Sequence, residues 1–440
     1  MRRADAAGLL ALAVLVGGAL ATARVPDAGT GWRVACVACW LAASGLALWL
    51  APRATSTRLV IGVAIGLRVL AFPALPSLSD DVYRYVWDGS LVVDGVSPYA
   101  HVPSAGALDA FRDREGPALL YERMNSPGVH SVYPPVSQAA FAAAARSGEW
   151  PVSWYVLKGI LCLAELVGVV ALSRVLVPSR LALYAWQPLA VIEIAGQGHT
   201  EGLLVGAVGV VVWAVVQRRR AASAVSLVVA GWTKLFPFVA LPSLLVRCSA
   251  RGRLAALALA VSLGATLLPA DDIANVVASL RLYGGALDFY SAPFLVVKAA
   301  LYPLMGESAG RAAASILSGL WLVAVGWASV RASDETRTVT LVVVTFVGYM
   351  LANPMLHPWN GLGALAAATL LRRPQAVLWL LGVAPLTYLR YVDTGWPAYD
   401  AALWLGWGGA ALAVWLSRAR ARPTHSPSPR RSEASGSQLV

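Results

Sequence analysis

Long apolar runs separated by short arginine-bearing connections make up most of the chain. The first three, Asp5 to Ala23, Trp32 to Ala51 and Arg58 to Ser77, approach the roughly 20 residues that a helix needs to cross a bilayer. From Ser79 to about His130 the pattern turns polar and aromatic. It reads as two amphipathic helices separated by an SPY turn and a Pro/Gly stretch, and by length it forms the main external loop, 79–132. Tyr133 to Ser147 is too short and alanine-rich for a full span and is expected to dip in and return. Crossings resume at Ser153 to Ser173, Leu181 to Gln197 and Gly202 to Val216. The run Ala221 to Val246 is interrupted at TKLFP, which predicts two half-helices. Leu254 to Pro269, Arg311 to Val330, Thr338 to Ala352, Gly361 to Leu371, Gln375 to Val392 and Ala401 to Leu416 complete the set. The pattern predicts an all-α polytopic membrane protein with about 12 transmembrane helices. It would have one membrane domain, 1–417, and a disordered cytoplasmic tail, 418–440, rich in Ser, Pro and Arg.

Composition agrees: 58% of residues are hydrophobic and 13% charged, against about 45–50% and about 25% in soluble domains. A soluble enzyme is excluded, and so is an outer-membrane barrel, whose strands alternate in pieces of about 10 residues. The net charge of +12 reports orientation and calls for no nucleic acid. Arginines cluster in short connections, as at Arg218, Arg219 and Arg220 or Arg247, Arg251 and Arg253, and such connections stay in the cytoplasm. Both termini are therefore expected inside and the 79–132 loop outside. The N-terminus resembles a signal peptide but is expected to remain as an uncleaved first span. Cys36 and Cys39 form a CxxC inside a span and are read as small packing residues.

Charged groups at membrane depth cost about 2.5–3.5 kcal/mol on insertion scales, so each one needs a reason. Nearly every cation is arginine, and the only lysines are Lys158, Lys234 and Lys298. Lys234 stands at the TKLFP break, where a cation could face an anion; snorkelling serves for the other two. Glu165 and Glu193 lie inside apolar runs, either facing a cavity or paired with a lysine. At the head of the external loop, Ser79 can cap a helix whose first turn holds Asp80 and Asp81. Arg84 is one turn from both Asp80 and Asp88 and predicts an ion-pair ladder. That ladder omits Asp81, whose stripe continues to Tyr85. An unpaired carboxylate at the membrane face suits general-base work on a sugar hydroxyl. Asp80 and Asp81 together would offer oxygens to a divalent ion, but neighbouring helix residues diverge by about 100°, so no required metal is expected.

These residues also carry a resemblance. DDVYRYVWDG (Asp80 to Gly89), SPY (Ser97 to Tyr99), YPPVSQ (Tyr133 to Gln138), AGQGHTEGLLV (Ala195 to Val205), KLFP (Lys234 to Pro237) and HPWN (His357 to Asn360) occur in this order. The set resembles GT-C superfamily glycosyltransferases, above all bacterial polyprenyl-phosphomannose-dependent mannosyltransferases and the related family 87 enzymes. The resemblance implies an inverting transfer of a hexose, mannose in those relatives, from a polyprenyl phosphate to a lipid, glycan or protein acceptor. The reaction would take place at the outer face of a bacterial plasma membrane. By position it makes Asp81 the catalytic acid, with Asp80 second. Lys234, His199, His357, Arg84 and Arg390 become candidates for the donor phosphate. Tyr85, Trp87, Asp88, Tyr99, Tyr133, Glu201 and Trp359 become candidates for the substrate groove. One departure stands out: where relatives often show GHND, this chain has Gly198, His199, Thr200 and Glu201. The competing reading is a transporter or lipid flippase, in which Lys158, Glu165, Glu193, Lys234 and Lys298 would form a polar pathway.

Overall fold

The computed structural model describes residues 3–23, 30–267, 270–285, 287–391 and 398–419. Every regular element among the described residues is helical, and the one extended pairing is an isolated bridge between Phe289 and Met355. Among the described residues, six helical stretches are long and apolar enough to cross a membrane: Ala4–Ala23, Gly31–Arg53, Val152–Leu172, Ala250–Leu267, Ala292–Arg331 and Glu335–Ala352. Their outer faces leave Leu10, Leu163, Leu320, Val323 and Val330 exposed, a surface suited to lipid and not to water.

Several apolar runs are broken, one of them, Leu181 to Gln197, expected as a single span and another at the TKLFP break that the sequence predicts. Leu181 to Gln197 becomes Pro178–Ala185, Pro188–Ala190 and a π-helical turn Val191–Gly196, because Pro188 has no N–H to donate. The run ending at Val246 splits at Lys234, whose backbone is extended, into Arg220–Thr233 and the short pieces Phe236–Ala240 and Leu241–Leu245. Tyr133 to Ser147 yields one short helix, Pro135–Ala145, with proline at its first turn. The stretch 270–310, where the pattern predicts no span, contains helices Ala270–Gly285 and Ala292–Met305. Asp271 and Asp272 in the first, and Lys298 and Pro303 in the second, interrupt the apolar pattern that would have marked them. The final helix, Ala398–Ala419, runs just past Arg418. The rest of the expected tail, 420–440, lies outside the described residues.

At the centre, Val152–Leu172 packs against Glu201–Val216 along Gly202, Gly206 and Gly209. A β-carbon on these glycines would fall on the backbone of Leu161, Ala164 and Gly168, so this close approach of two helices requires small residues. A buried ion pair joins the same helix to Thr57–Ala71. Arg68 grips Glu165 with two prongs, Nε to Oε2 at 2.8 Å and Nη2 to Oε1 at 2.5 Å. Its Nη1 donates to the carbonyls of Ala64 and Ala185, and the Tyr184 hydroxyl donates to Glu165 at 2.8 Å. The partner of Glu165 is thus an arginine on the third helix, not a lysine.

Candidate active site

The third helix ends at Ala71, and the chain leading from it to Asp81 is held from two sides. Lys158 donates to the carbonyls of Phe72 (2.5 Å) and Ala74 (2.7 Å), satisfying acceptors freed at the helix end and complementing its dipole. Gln197 Oε1 accepts from the N–H groups of Ser77 and Leu78, both at 2.9 Å. The helix Asp81–Val93 then begins, with the Asp81 N–H donating to Ser79 Oγ at 3.2 Å. Gln197 belongs to the AGQGH segment, in which Gly198 has φ +82°, a conformation that favours glycine. A side chain at Gly198 would also strike the Trp154 ring. This turn directs His199 towards Asp81.

Asp80 and Asp81 face a cavity of about 1330 Å³. Asn125 bridges them, its Nδ2 donating to Asp80 Oδ1 at 2.5 Å and to Asp81 Oδ1 at 3.0 Å. The Asp81–Tyr85 stripe closes into a hydrogen bond, Tyr85 hydroxyl to Asp81 Oδ2 at 3.4 Å. Loss of solvent raises the Asp80 carboxyl above the usual carboxylate range; the Asn125 hydrogen bond opposes the shift and the neighbouring Asp81 charge adds to it. The expected ladder forms only in its second half. Arg84 pairs with Asp88 at 2.8 Å and donates to the Val129 carbonyl at 3.0 Å, whereas Asp80 turns to Asn125. Arg84 Nη2 is buried and finds no hydrogen-bond partner among the described residues, on a side chain that lines the cavity.

On the facing wall, Lys234 pairs with Glu201 and donates to Asn360 Oδ1 at 3.1 Å. A quarter of the Lys234 side chain stays exposed, while Glu201 is sealed at 1%. Next to them stands a column of rings. Phe289 stacks on His357 (4.3 Å), His357 on Trp359 (4.5 Å) and Trp359 on His199 (4.1 Å). Burial pushes the His357 imidazole down to about 4, so at neutral pH it offers a neutral ring and not a cation. Away from these polar groups the cavity is lined by Phe236, Leu280, Leu287, Ala314 and Trp321.

Of the expected site residues, Asp80, Asp81, Arg84, Tyr85, Tyr133, Lys234, His357 and Trp359 line the cavity. Six others do not reach its surface. Trp87 packs inside the loop against Phe111 and Tyr121. Asp88 is enclosed by Arg84, Ser131 and Gln138. Tyr99 donates to the Tyr133 carbonyl at 2.9 Å. Glu201 and His199 lie behind Lys234 and Trp359, and Arg390 covers the rings of Phe289 and Tyr399. These six support the wall and do not form its surface. Sequence reasoning missed Asn125, Asn360, Arg123, Tyr283 and Tyr349, which also line the cavity. Asn125 sits in an unremarkable RMNSPG turn and reaches the carboxylates across 44 and 45 positions of chain.

The groups that a transport pathway would have linked are each committed to a local partner. Lys158 holds carbonyls, Glu165 holds Arg68, Glu193 accepts from the Tyr388 hydroxyl, Lys234 holds Glu201, and Lys298 pairs with Asp288 at 2.8 Å. Comparison with known sequences points the same way. The model of a family described as alpha-(1->6)-mannopyranosyltransferase, N-terminal domain, matches residues 6–250. No curated protein matches the chain. Asp80, Asp81, Arg84 and Lys234 fall within the matched part, while the ring column from Phe289 to Trp359 lies beyond it.

Proposed function

Because the chain belongs to the alpha-(1->6)-mannopyranosyltransferase family, it is a membrane enzyme that transfers mannose, and we propose that Asp81 is the general base of that transfer. The observation that carries this reading is the place of Asp81. It stands at the head of the loop helix on the cavity wall, 21% exposed, with one oxygen engaged by Asn125 and the other near Tyr85. In this reading the donor is mannose on a polyprenyl phosphate, and the acceptor is a glycan, lipid or protein hydroxyl. Asp81 takes the hydroxyl proton as that oxygen attacks the anomeric carbon from the side opposite the phosphate. The bond from that carbon to the phosphate oxygen breaks with its electron pair, and the centre inverts. The transition state has oxocarbenium character, which a nearby carboxylate also stabilises.

Charge developing on the departing phosphate calls for donors placed in advance. Lys234, with its exposed quarter, and Arg84, with its unpartnered Nη2, are the two cations we assign to it. His357 supplies a neutral ring beside them. The prenyl chain then runs along Leu280, Leu287, Ala314 and Trp321. The same reading places the loop on the outer face of a bacterial plasma membrane, with about 12 crossings and both termini in the cytoplasm.

Lys234→Ala tests the phosphate assignment. It is expected to raise the apparent donor KM about tenfold, the loss of one charge-assisted contact of about 1.4 kcal/mol. Leaving Glu201 without its partner is expected to cost about 1–3 kcal/mol, seen as a lower thermal midpoint in detergent. An unchanged donor KM removes Lys234 from the phosphate site. The scheme invokes no metal: rates measured with and without a chelator of divalent ions are expected to agree within about twofold, well under the several kcal/mol of a catalytic ion. Loss of activity restored by Mg²⁺ or Mn²⁺ would replace this scheme with a metal-assisted one.

A further inference from the structure

Glu193 is fully buried in the π-helical turn Val191–Gly196 and takes no part in the transfer as derived above. Its surroundings form a line that ends at Asp81. The Tyr388 hydroxyl donates to Glu193 Oε1 at 2.7 Å. Glu193 Oε2 lies 3.2 Å from His199 Nε2, and His199 Nδ1 lies 4.0 Å from Asp81 Oδ2. The plane of the imidazole is fixed by the Trp359 ring, 4.1 Å away and tilted by 9°. Its two nitrogens therefore each lie within 4.0 Å of a different carboxylate, and among the described residues neither makes a hydrogen bond. A π turn inserts one residue into a helix and often marks a functional position. Here it brings Glu193 and His199, six positions apart, to the two ends of one contact.

We propose that Glu193 is a positioning residue for mannose transfer. It holds the Nε2–H of His199 so that the lone pair of Nδ1 faces Asp81, and it balances the imidazolium that forms when His199 takes a proton from Asp81. This rests on the reading of Asp81 as the base. In the transfer step Asp81 Oδ2 gains the acceptor's proton, the acceptor oxygen bonds to the anomeric carbon, and the phosphate leaves with the electron pair. The proton then passes to His199 Nδ1, which restores the Asp81 carboxylate, and when the products depart it returns through Asp81, which lines the cavity, to water. Both contacts of the imidazole, 3.2 Å to Glu193 and 4.0 Å to Asp81, align into hydrogen bonds in the substrate complex, where such contacts tighten. Tyr388 keeps Glu193 turned towards the imidazole.

The test uses the full chain in detergent or vesicles, with a polyprenyl-phosphate mannose donor. Glu193→Gln keeps the shape and removes the charge. It is expected to lower kcat at least about tenfold while donor and acceptor KM stay within about threefold. Combined with His199→Gln it is expected to be no slower than the slower single variant, because the two residues act as one line. Tyr388→Phe, which keeps the ring on the cavity wall and removes the hydroxyl that donates to Glu193, is expected to lower kcat about threefold with donor and acceptor KM unchanged; it decides the matter should Glu193→Gln fail to fold. A wild-type kcat in Glu193→Gln, or losses that multiply in the double variant, would overturn the proposal. An inactive Asp81→Asn beside an unimpaired Glu193→Gln removes this inference and leaves Asp81 as base, whereas an active Asp81→Asn removes both.

Discussion

Asp81→Asn, expressed at the wild-type level, is expected to lower kcat for mannose transfer by about 10²- to 10⁴-fold, the range of a positioned general base. The substitution preserves size and leaves an amide oxygen for Asn125, whose bond to Asp81 Oδ1 is 3.0 Å. Packing of the loop helix and the thermal midpoint should therefore stay close to wild type, and the donor KM should change little. Asp80→Asn is the matched control. Asp80 shares Asn125 but lies outside the contact between Asp81 and His199, so a loss of no more than about tenfold is expected there. Steady-state rates of both variants with a labelled donor separate the roles. If the two losses change places, the base is Asp80.

The second large effect is on folding. Glu165→Ala strands the Arg68 guanidinium, 3% exposed, without its carboxylate. Removing one partner of a buried pair costs about 3–5 kcal/mol, because the other charge is left uncompensated. Three contacts tie Arg68 and Glu165 to Ala64, Ala185 and Tyr184, so the damage should spread to the packing of Thr57–Ala71 against Val152–Leu172. The expected result is a sharply lower thermal midpoint in detergent and little monodisperse protein. The double change Arg68→Met with Glu165→Met removes both charges at similar volume and is expected to recover most of that stability, since two apolar side chains often replace a buried pair without loss. A single variant as stable as wild type would mean that water reaches this pair.

How far these features could be read in advance depends on how local they are. The helix breaks at Pro188 and Lys234 follow from residues at the breaks themselves, and TKLFP advertised the second one. The external loop was legible for the same reason, because its polar and aromatic pattern is continuous in the chain. The helices of 270–310 escaped because Asp271, Asp272, Lys298 and Pro303 interrupt their apolar pattern, although Lys298 is satisfied by Asp288 close by. Pairings across long separations carried no local sign. Arg68 and Glu165 are 97 positions apart, and Lys234 and Glu201 are 33 apart. Arg68 stands inside the apolar run Arg58 to Ser77, where nothing nearby in the chain marks its partner. The candidate site divides in the same way. Asp80, Asp81, Lys234, His357 and Trp359 stood in recognisable blocks, and the fold brings all five to one cavity. Trp87, Asp88 and Tyr99 stood in equally visible blocks, yet they serve the interior of the loop. A motif marks residues that matter together without saying which of them meet the substrate.

The account turns on which group faces the reacting carbon. The most direct measurement is a structure of the full chain with a non-transferable mannosyl phosphate lipid and an acceptor bound. The account predicts the acceptor hydroxyl within about 3 Å of an Asp81 oxygen. It places the phosphate on the far side of the sugar, against Lys234 and Arg84, and the prenyl chain past Leu280 and Trp321. A phosphate seated against Asp81, or an acceptor hydroxyl nearer to another carboxylate, would contradict it.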